Sequence, residues 1–295
     1  MSTGATLPLP VSTGAGARLP PGALLGMCLM VPAALLVGVF FILPLARLAG
    51  VSLGFPDPGV GAYKQLLTVS GYAGTLATTL KVSAIVTVLC VVLGYPVAFL
   101  MSRSSPRVQA LIAMLVLLPF WTSLLVRNYA LIYILQRNGV VNRMLTDMGI
   151  IDAPLPLMFN EFGVVVGMTN ALLPFMVFPI YVSLQAQDKA LVPASSSLGA
   201  TPSVTFFTVT LPLSVPGIAA GAAVTFATAL GFYVTPALLG GGKVLLSATY
   251  IAKEINEFLN WPTAAAASMV LLAVVMALLG LQRWAGSLRG AVTRN

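Results

Sequence analysis

Histidine is absent from the 295 residues, which removes the commonest general base and metal ligand. Charge is almost as scarce. Asp, Glu, Lys and Arg make up 7% of the chain, against about 25% in a soluble domain, so this chain cannot cover itself for water. Cysteine is limited to Cys28 and Cys90. Both lie inside apolar runs and read as small buried hydrophobes, with a redox role as the alternative. No acid pair or metal-ligand cluster sits in an apolar run, which disfavours an embedded enzyme. A G-x4-G-K-[ST] phosphate loop is also missing: the nearest stretch, "GGGKVLL" at 240–246, has Val244 where Ser or Thr would meet magnesium. The sequence therefore predicts no catalytic residue, no metal, no cofactor and no ATP hydrolysis by this chain.

What is present is apolar. Hydrophobic residues make up 58% of the chain, and its mean hydropathy is +0.99. Membrane is the class this composition fits. The net charge of +8 then reads as helix-end anchors and topology signals rather than a nucleic-acid footprint. Runs of the roughly 20 apolar residues that cross a bilayer recur at about 24–46, 78–101, 108–126, 162–184, 214–237 and 263–282. Arg47, Arg103, Arg127, Gln185 and Arg283 bound them. The expected fold is all-α, with six transmembrane helices over 23–285 between a flexible cytoplasmic tail at 1–22 and a second at 286–295. A cleaved signal peptide is the competing reading of the start, but the first apolar run is too long for one. Pro32, Pro96, Pro119, Pro174 and Pro179 punctuate the spans and predict ordinary bends, with a gating hinge as the alternative.

Six spans place both termini on one side. With the termini inside, seven cations (Arg18, Arg103, Arg107, Lys189, Arg283, Arg289, Arg294) face eight outside (Arg47, Lys64, Lys81, Arg127, Arg137, Arg143, Lys243, Lys253). The count is balanced, but the inside cations sit in shorter segments such as "SRSSPR", so density favours termini inside.

The segment 185–213 interrupts this pattern with small and turn-forming residues. "DKALVPASSSLGA" predicts a short helix with Pro193 in its first turn, closing near Gly199. Thr201 is a natural N-cap and Pro202 a natural first helical residue. The outcome is helix, glycine corner, helix, with Pro212 marking the approach to the next span. Leu198, Ala200, Val204, Phe206 and Phe207 are expected on its surface with almost no charge, a knob suited to a groove on another protein.

This segment resembles the cytoplasmic signature EAA-x3-G-x9-I-x-L-P of ABC importer permeases. Gly199 is followed in register by Val209, Thr210, Leu211 and Pro212, while the opening triplet falls on Pro193, Ala194 and Ser195. The usual acid of that triplet is missing, and Asp188 is the one carboxylate nearby. The stretches "RNYALIYILQRNGVVNRMLTDMGIIDAPLPLMFNEFGVVVGM" (127–168), "GFYVTPALLGGGKVLLSATYI" and "NWPTAAAAS" resemble the external regions of polyamine-type permeases. The likeness covers roughly 65–285. It implies a type I permease architecture in the bacterial inner membrane, paired with a second homologous permease subunit, two ATPase subunits and a periplasmic solute-binding protein, with no nucleic-acid partner.

On that likeness, Asp188, Ala194, Leu198, Gly199, Ala200, Phe206, Val209, Leu211 and Pro212 are expected to couple to the ATPase. Trp121, Asn170, Thr225, Phe232 and Tyr233 are polar or aromatic residues at or near membrane depth and candidates for the solute path. Helix packing and interfacial anchoring are the alternatives for each. Thr235, Pro236, Gly240 and Gly241 read as an external gate or docking loop. The likeness points to putrescine or spermidine as solute. The charge balance of the external segments suits an opine, an aminophosphonate or another small organic solute as well. A secondary transporter or channel is the remaining class, and it would usually show intramembrane charges or inverted halves.

Overall fold

The computed structural model describes residues 31–32, 34–55, 58–68 and 71–292, with side chains described as far as Gln282. The expected tail at 1–22, the start of the first span and Cys28 lie outside the described residues. Residues up to Gly50 form one compact unit and the rest of the chain a second. The first contains most of α1 (Ala34–Ser52), an apolar helix with a π-turn at Gly38–Ile42.

The described residues of the second unit are helical, without strands: α2 (Gly61–Thr68), α3 (Tyr72–Arg103), α4 (Pro106–Trp121), α5 (Leu124–Leu135), α6 (Val140–Asp147), α7 (Glu161–Gln185), α8 (Leu191–Ser197), α9 (Pro202–Leu230), α10 (Val234–Leu239), α11 (Ser247–Asn256) and α12 (Trp261–Val292). Five helices (α1, α3, α7, α9 and α12) are long and apolar enough to cross a bilayer alone, and α4 with α5–α6 makes a sixth candidate bent by 98°. The expected spans at 162–184 and 263–282 coincide with α7 and the apolar part of α12. The last helix runs past the expected boundary at 285 to Val292.

Four spans differ from expectation: the first runs past Arg47 to Ser52, and the other three differ for local reasons. The second begins at Tyr72, so Lys81 lies inside the helix, where Nζ meets Glu161 Oε2 at 2.8 Å. The third, expected to run to 126, ends at Trp121 because Thr122 and Ser123 turn extended. Thr122 Oγ1 donates to the Pro119 carbonyl at 2.9 Å, a short polar side chain competing with the helical ladder. The fifth, expected over 214–237, occupies Pro202–Leu230 instead. It passes through Pro212 because a π-turn at Phe206–Thr210 precedes it. The surplus residue of that turn opens the ladder where proline can neither donate nor tolerate the carbonyl one turn back. Pro96, Pro174 and Pro179 sit inside unbroken helices.

The core is the mutual packing of α3, α7 and α9, with Val82, Val86, Cys90, Met168, Leu172, Met176, Val177 and Ile180 buried among them. Small residues let the backbones close up. A Cβ at Gly217 would stand 2.6 Å from the Pro179 carbonyl oxygen, and one at Gly221 would stand 2.8 Å from Met176 Sδ. Cys90 is fully buried, its thiol donating to the Thr169 carbonyl at 3.8 Å.

Candidate functional site: the elbow between α7 and α9

Chain leaving α7 turns through 186–190, forms the seven-residue α8, and re-enters at Thr201. Gly199 has φ +82°, and a Cβ at this position would meet nothing within 4 Å, so glycine serves there for conformation and not for space. Thr201 caps α9 by accepting from the Val204 amide at 3.4 Å, and Pro202 follows as the first helical residue. Asp188 is exposed, its Oδ1 accepting from the Ala190 amide at 2.9 Å, so it caps the start of the turn.

The elbow presents an apolar, charge-poor tip. Leu198 is 89% exposed, with Val204 and Phe207 also outward. Ala194 and Pro212 are exposed, while Ala200, Val209 and Leu211 are half-buried. Phe206 departs from expectation. It is half-buried and packs edge-on against Phe99 and Tyr95 of α3, at centroid distances of 5.4 and 5.8 Å. The π-turn carries it to the inner side, so Leu198, Val204 and Phe207 make the exposed tip without it. Arg103 lies 4.9 Å over the Phe99 ring and closes this aromatic cluster. Beneath α8 is a cavity of about 310 Å³ lined by Arg103, Gln187, Asp188, Lys189, Val192 and Thr210.

Sequence reasoning missed the polar ties that hold the elbow. Gln187 Nε2 donates to the Thr210 carbonyl at 3.0 Å, and the Ser195 and Thr205 hydroxyls meet at 2.6 Å. Neither pair has a spacing that marks it in the chain, since the glycine corner alone brings them together.

At the opposite end of the bundle α10 lies against α7. Thr235 is fully buried beside Gly167, and Pro236 and Gly240 are buried as well. Phe159 donates its amide to the Leu239 carbonyl at 3.0 Å, and its ring covers Gly241, which has φ +56°. Tyr233 and Pro236 border a second cavity of about 310 Å³ with Thr249, Lys253, Asn256 and Glu257. Beyond the turn at 240–243, the first amide of α11, that of Ser247, is taken by Thr79 Oγ1 at 2.8 Å.

The solute-path candidates differ widely in exposure. Trp121 is 75% exposed and Tyr233 45%, Asn170 is exposed, and Phe232 is half-buried against the core. Thr225 is fully buried, its hydroxyl without a hydrogen-bond partner, inside the helix pack rather than on an open face.

A helical membrane bundle with an apolar, glycine-cornered elbow between two spans defines the class of transport permeases. The model of the family described as binding-protein-dependent transport system inner membrane component matches residues 91–285. The chain belongs to this family. It is a permease subunit, a transport component that leaves ATP hydrolysis to a separate subunit. It is 42% identical over 208 residues to the spermidine/putrescine transport system permease protein PotB of Haemophilus influenzae, covering 70% of this chain and 72% of that one. To the protein of the same name in Escherichia coli it is 38% identical over 216 residues, 73% of this chain and 78% of that one. A solved bacterial alginate ABC transporter in complex with its alginate pentasaccharide-bound periplasmic protein contains a chain of the same fold, with TM-score 0.75 at 18% identity, covering 88% and 92% of the two chains.

Proposed function

We propose that this chain forms half of the translocation pathway of a polyamine importer, carrying solutes of the spermidine and putrescine kind. It would work with a second homologous permease subunit, two ATPase subunits and a periplasmic binding protein, with the elbow and both termini on the cytoplasmic side. The elbow carries this reading. An 89% exposed leucine at the tip of a seven-residue helix costs solvation unless another protein covers it. The polyamine assignment is supported by two relatives of that name, matched over more than two thirds of each chain.

The mechanism follows from the connections. Closure of the ATPase dimer on ATP moves the grooves that hold α8. The glycine corner hands that motion to α9, and Phe206 hands it to α3 through Tyr95 and Phe99. ATP and the loaded binding protein then favour different states of one bundle, which is what coupling requires. Asn170 is proposed as a lining group because it is exposed on a largely apolar helix, and an amide turned to lipid would go unpaired. Exposed aromatic faces at Trp121 and Tyr233 offer a cation passing contacts without a tight charged site.

The test is uptake of radiolabelled spermidine and putrescine in cells stripped of their own polyamine importers and supplied with this chain and its partner subunits. Saturable, ATP-dependent uptake is expected, with Leu198→Asp reducing it to background. Uptake of neither polyamine, with uptake of a zwitterionic opine instead, overturns the substrate. Uptake by this chain without any ATPase overturns the mechanism.

A further inference from the structure

We propose that the Ser195 and Thr205 hydroxyls form the latch that fixes the angle of α8 on α9, making both of them positioning residues for coupling. The proposal rests on the docking role of the elbow given above. Its starting point is how little holds α8. A helix of seven residues has no stability of its own, so its direction must come from tertiary contacts. Only two of its side chains are turned even partly inward, Val192 and Ser195. Val192 lines the cavity beneath the helix and supplies apolar contact without direction. Ser196 and Ser197 bond the carbonyls of Val192 and Pro193 inside the same helix. Ser195 Oγ also bonds the Val192 carbonyl, at 3.2 Å, but it alone reaches across, to Thr205 Oγ1 at 2.6 Å.

The far side of the latch is fixed. Thr205 is 4% exposed and immediately precedes Phe206, whose ring sits against Tyr95 and Phe99. A push on α8 therefore arrives at a turn of α9 that also grips α3. Gln187, bonded to the Thr210 carbonyl, ties the incoming chain to the same turn. None of these links carries charge, so the elbow is oriented without an acid in its opening triplet. Removing the Ser195 hydroxyl leaves that of Thr205 buried without its partner, which is costly, while removing that of Thr205 leaves Ser195 only its bond within α8.

The experiment uses the assembled importer in liposomes, with Ser195→Ala, Thr205→Val and Ser195→Thr, and three readouts. The first is a cross-link from Leu198→Cys to the ATPase. The second is spermidine moved per ATP hydrolysed. The third is the spin-label distance distribution between Ser197→Cys and Thr208→Cys, which reads the latch even in an importer that does not carry spermidine. With Ser195→Ala and Thr205→Val the cross-link is expected to persist. The transport ratio should fall about fivefold, the scale of one hydrogen bond's net free energy, and the distance distribution should broaden. Ser195→Thr, which keeps the hydroxyl, should restore both. An unchanged ratio and a narrow distribution in Ser195→Ala overturn the latch alone, as does failure of Ser195→Thr to restore them. Absence of the Leu198 cross-link in the otherwise unaltered importer overturns the docking role, and the latch with it.

Discussion

Two glycines illustrate how differently one residue type constrains this chain. Gly199 has open space and a left-handed backbone; Gly217 has ordinary helical geometry and no space. Substitutions should separate them. At Gly199 the cost is conformational, about 1–2 kcal/mol for an ordinary side chain and less for asparagine, which tolerates that region. Uptake is expected to rank Gly199 above Gly199→Asn above Gly199→Val, with normal amounts of protein in the membrane; equal uptake by all three would remove the corner from the mechanism. At Gly217 the new methyls would meet the Pro179 carbonyl and Ser183, an overpacking cost of about 1–3 kcal/mol. Gly217→Val should therefore lower the melting temperature of the purified permease, while Gly217→Ala lowers it less. The Gly199 corner was legible because a single residue type specifies it. The Gly217 contact was not, because it depends on which helix lies opposite.

At the scale of elements, sequence served best where polar residues mark both ends. Asn160, which caps α7 by accepting from the Gly163 amide at 3.0 Å, and Gln185 bound the most buried span, and its limits agree with expectation to within a residue. The start of α9 was equally readable from Thr201 and Pro202, although its continuity through Pro212 was not. Composition gives no sign of a π-turn, and without it Phe206 and Phe207 read as one exposed surface. The break after Trp121 was hidden for a similar reason: Thr122 and Ser123 are compatible with helix until Thr122 bonds back to Pro119. Replacing both with alanine should favour a straighter span. A spin-label pair at Leu118 and Leu125 should then read a longer separation than in the unaltered chain, and no change would place the cause of the bend elsewhere. The Lys81–Glu161 pair joins the interior of α3 to the start of α7, but both side chains are more than a third exposed, so its removal should cost well under 1 kcal/mol.

For the whole molecule, composition alone fixed the class, since a chain with 7% charge has no soluble fold open to it. The elbow's register then narrowed the class to a family. On the proposed function the solute path was least legible, because one chain would hold only part of its wall. Thr225 shows the difficulty: a hydroxyl at membrane depth in the sequence proves to be packed inside the bundle. Topology is the prediction that belongs here. With the proposed orientation, a cysteine at Leu198 should resist a membrane-impermeant thiol reagent added to intact cells, and one at Lys243 should react. The reverse pattern would invert the assignment of every loop.

The π-turn at Phe206–Thr210 also sets a rotational phase. Each residue of a helix advances the chain by about 100°, so deleting Thr208 would leave an unbroken rod whose two halves are turned against each other by that amount. The membrane half would still pack on α7, but the exposed tip proposed to dock would face a different quarter of the bilayer surface. Such a permease should insert, fold and melt near normally, yet find no ATPase where its partner site expects one.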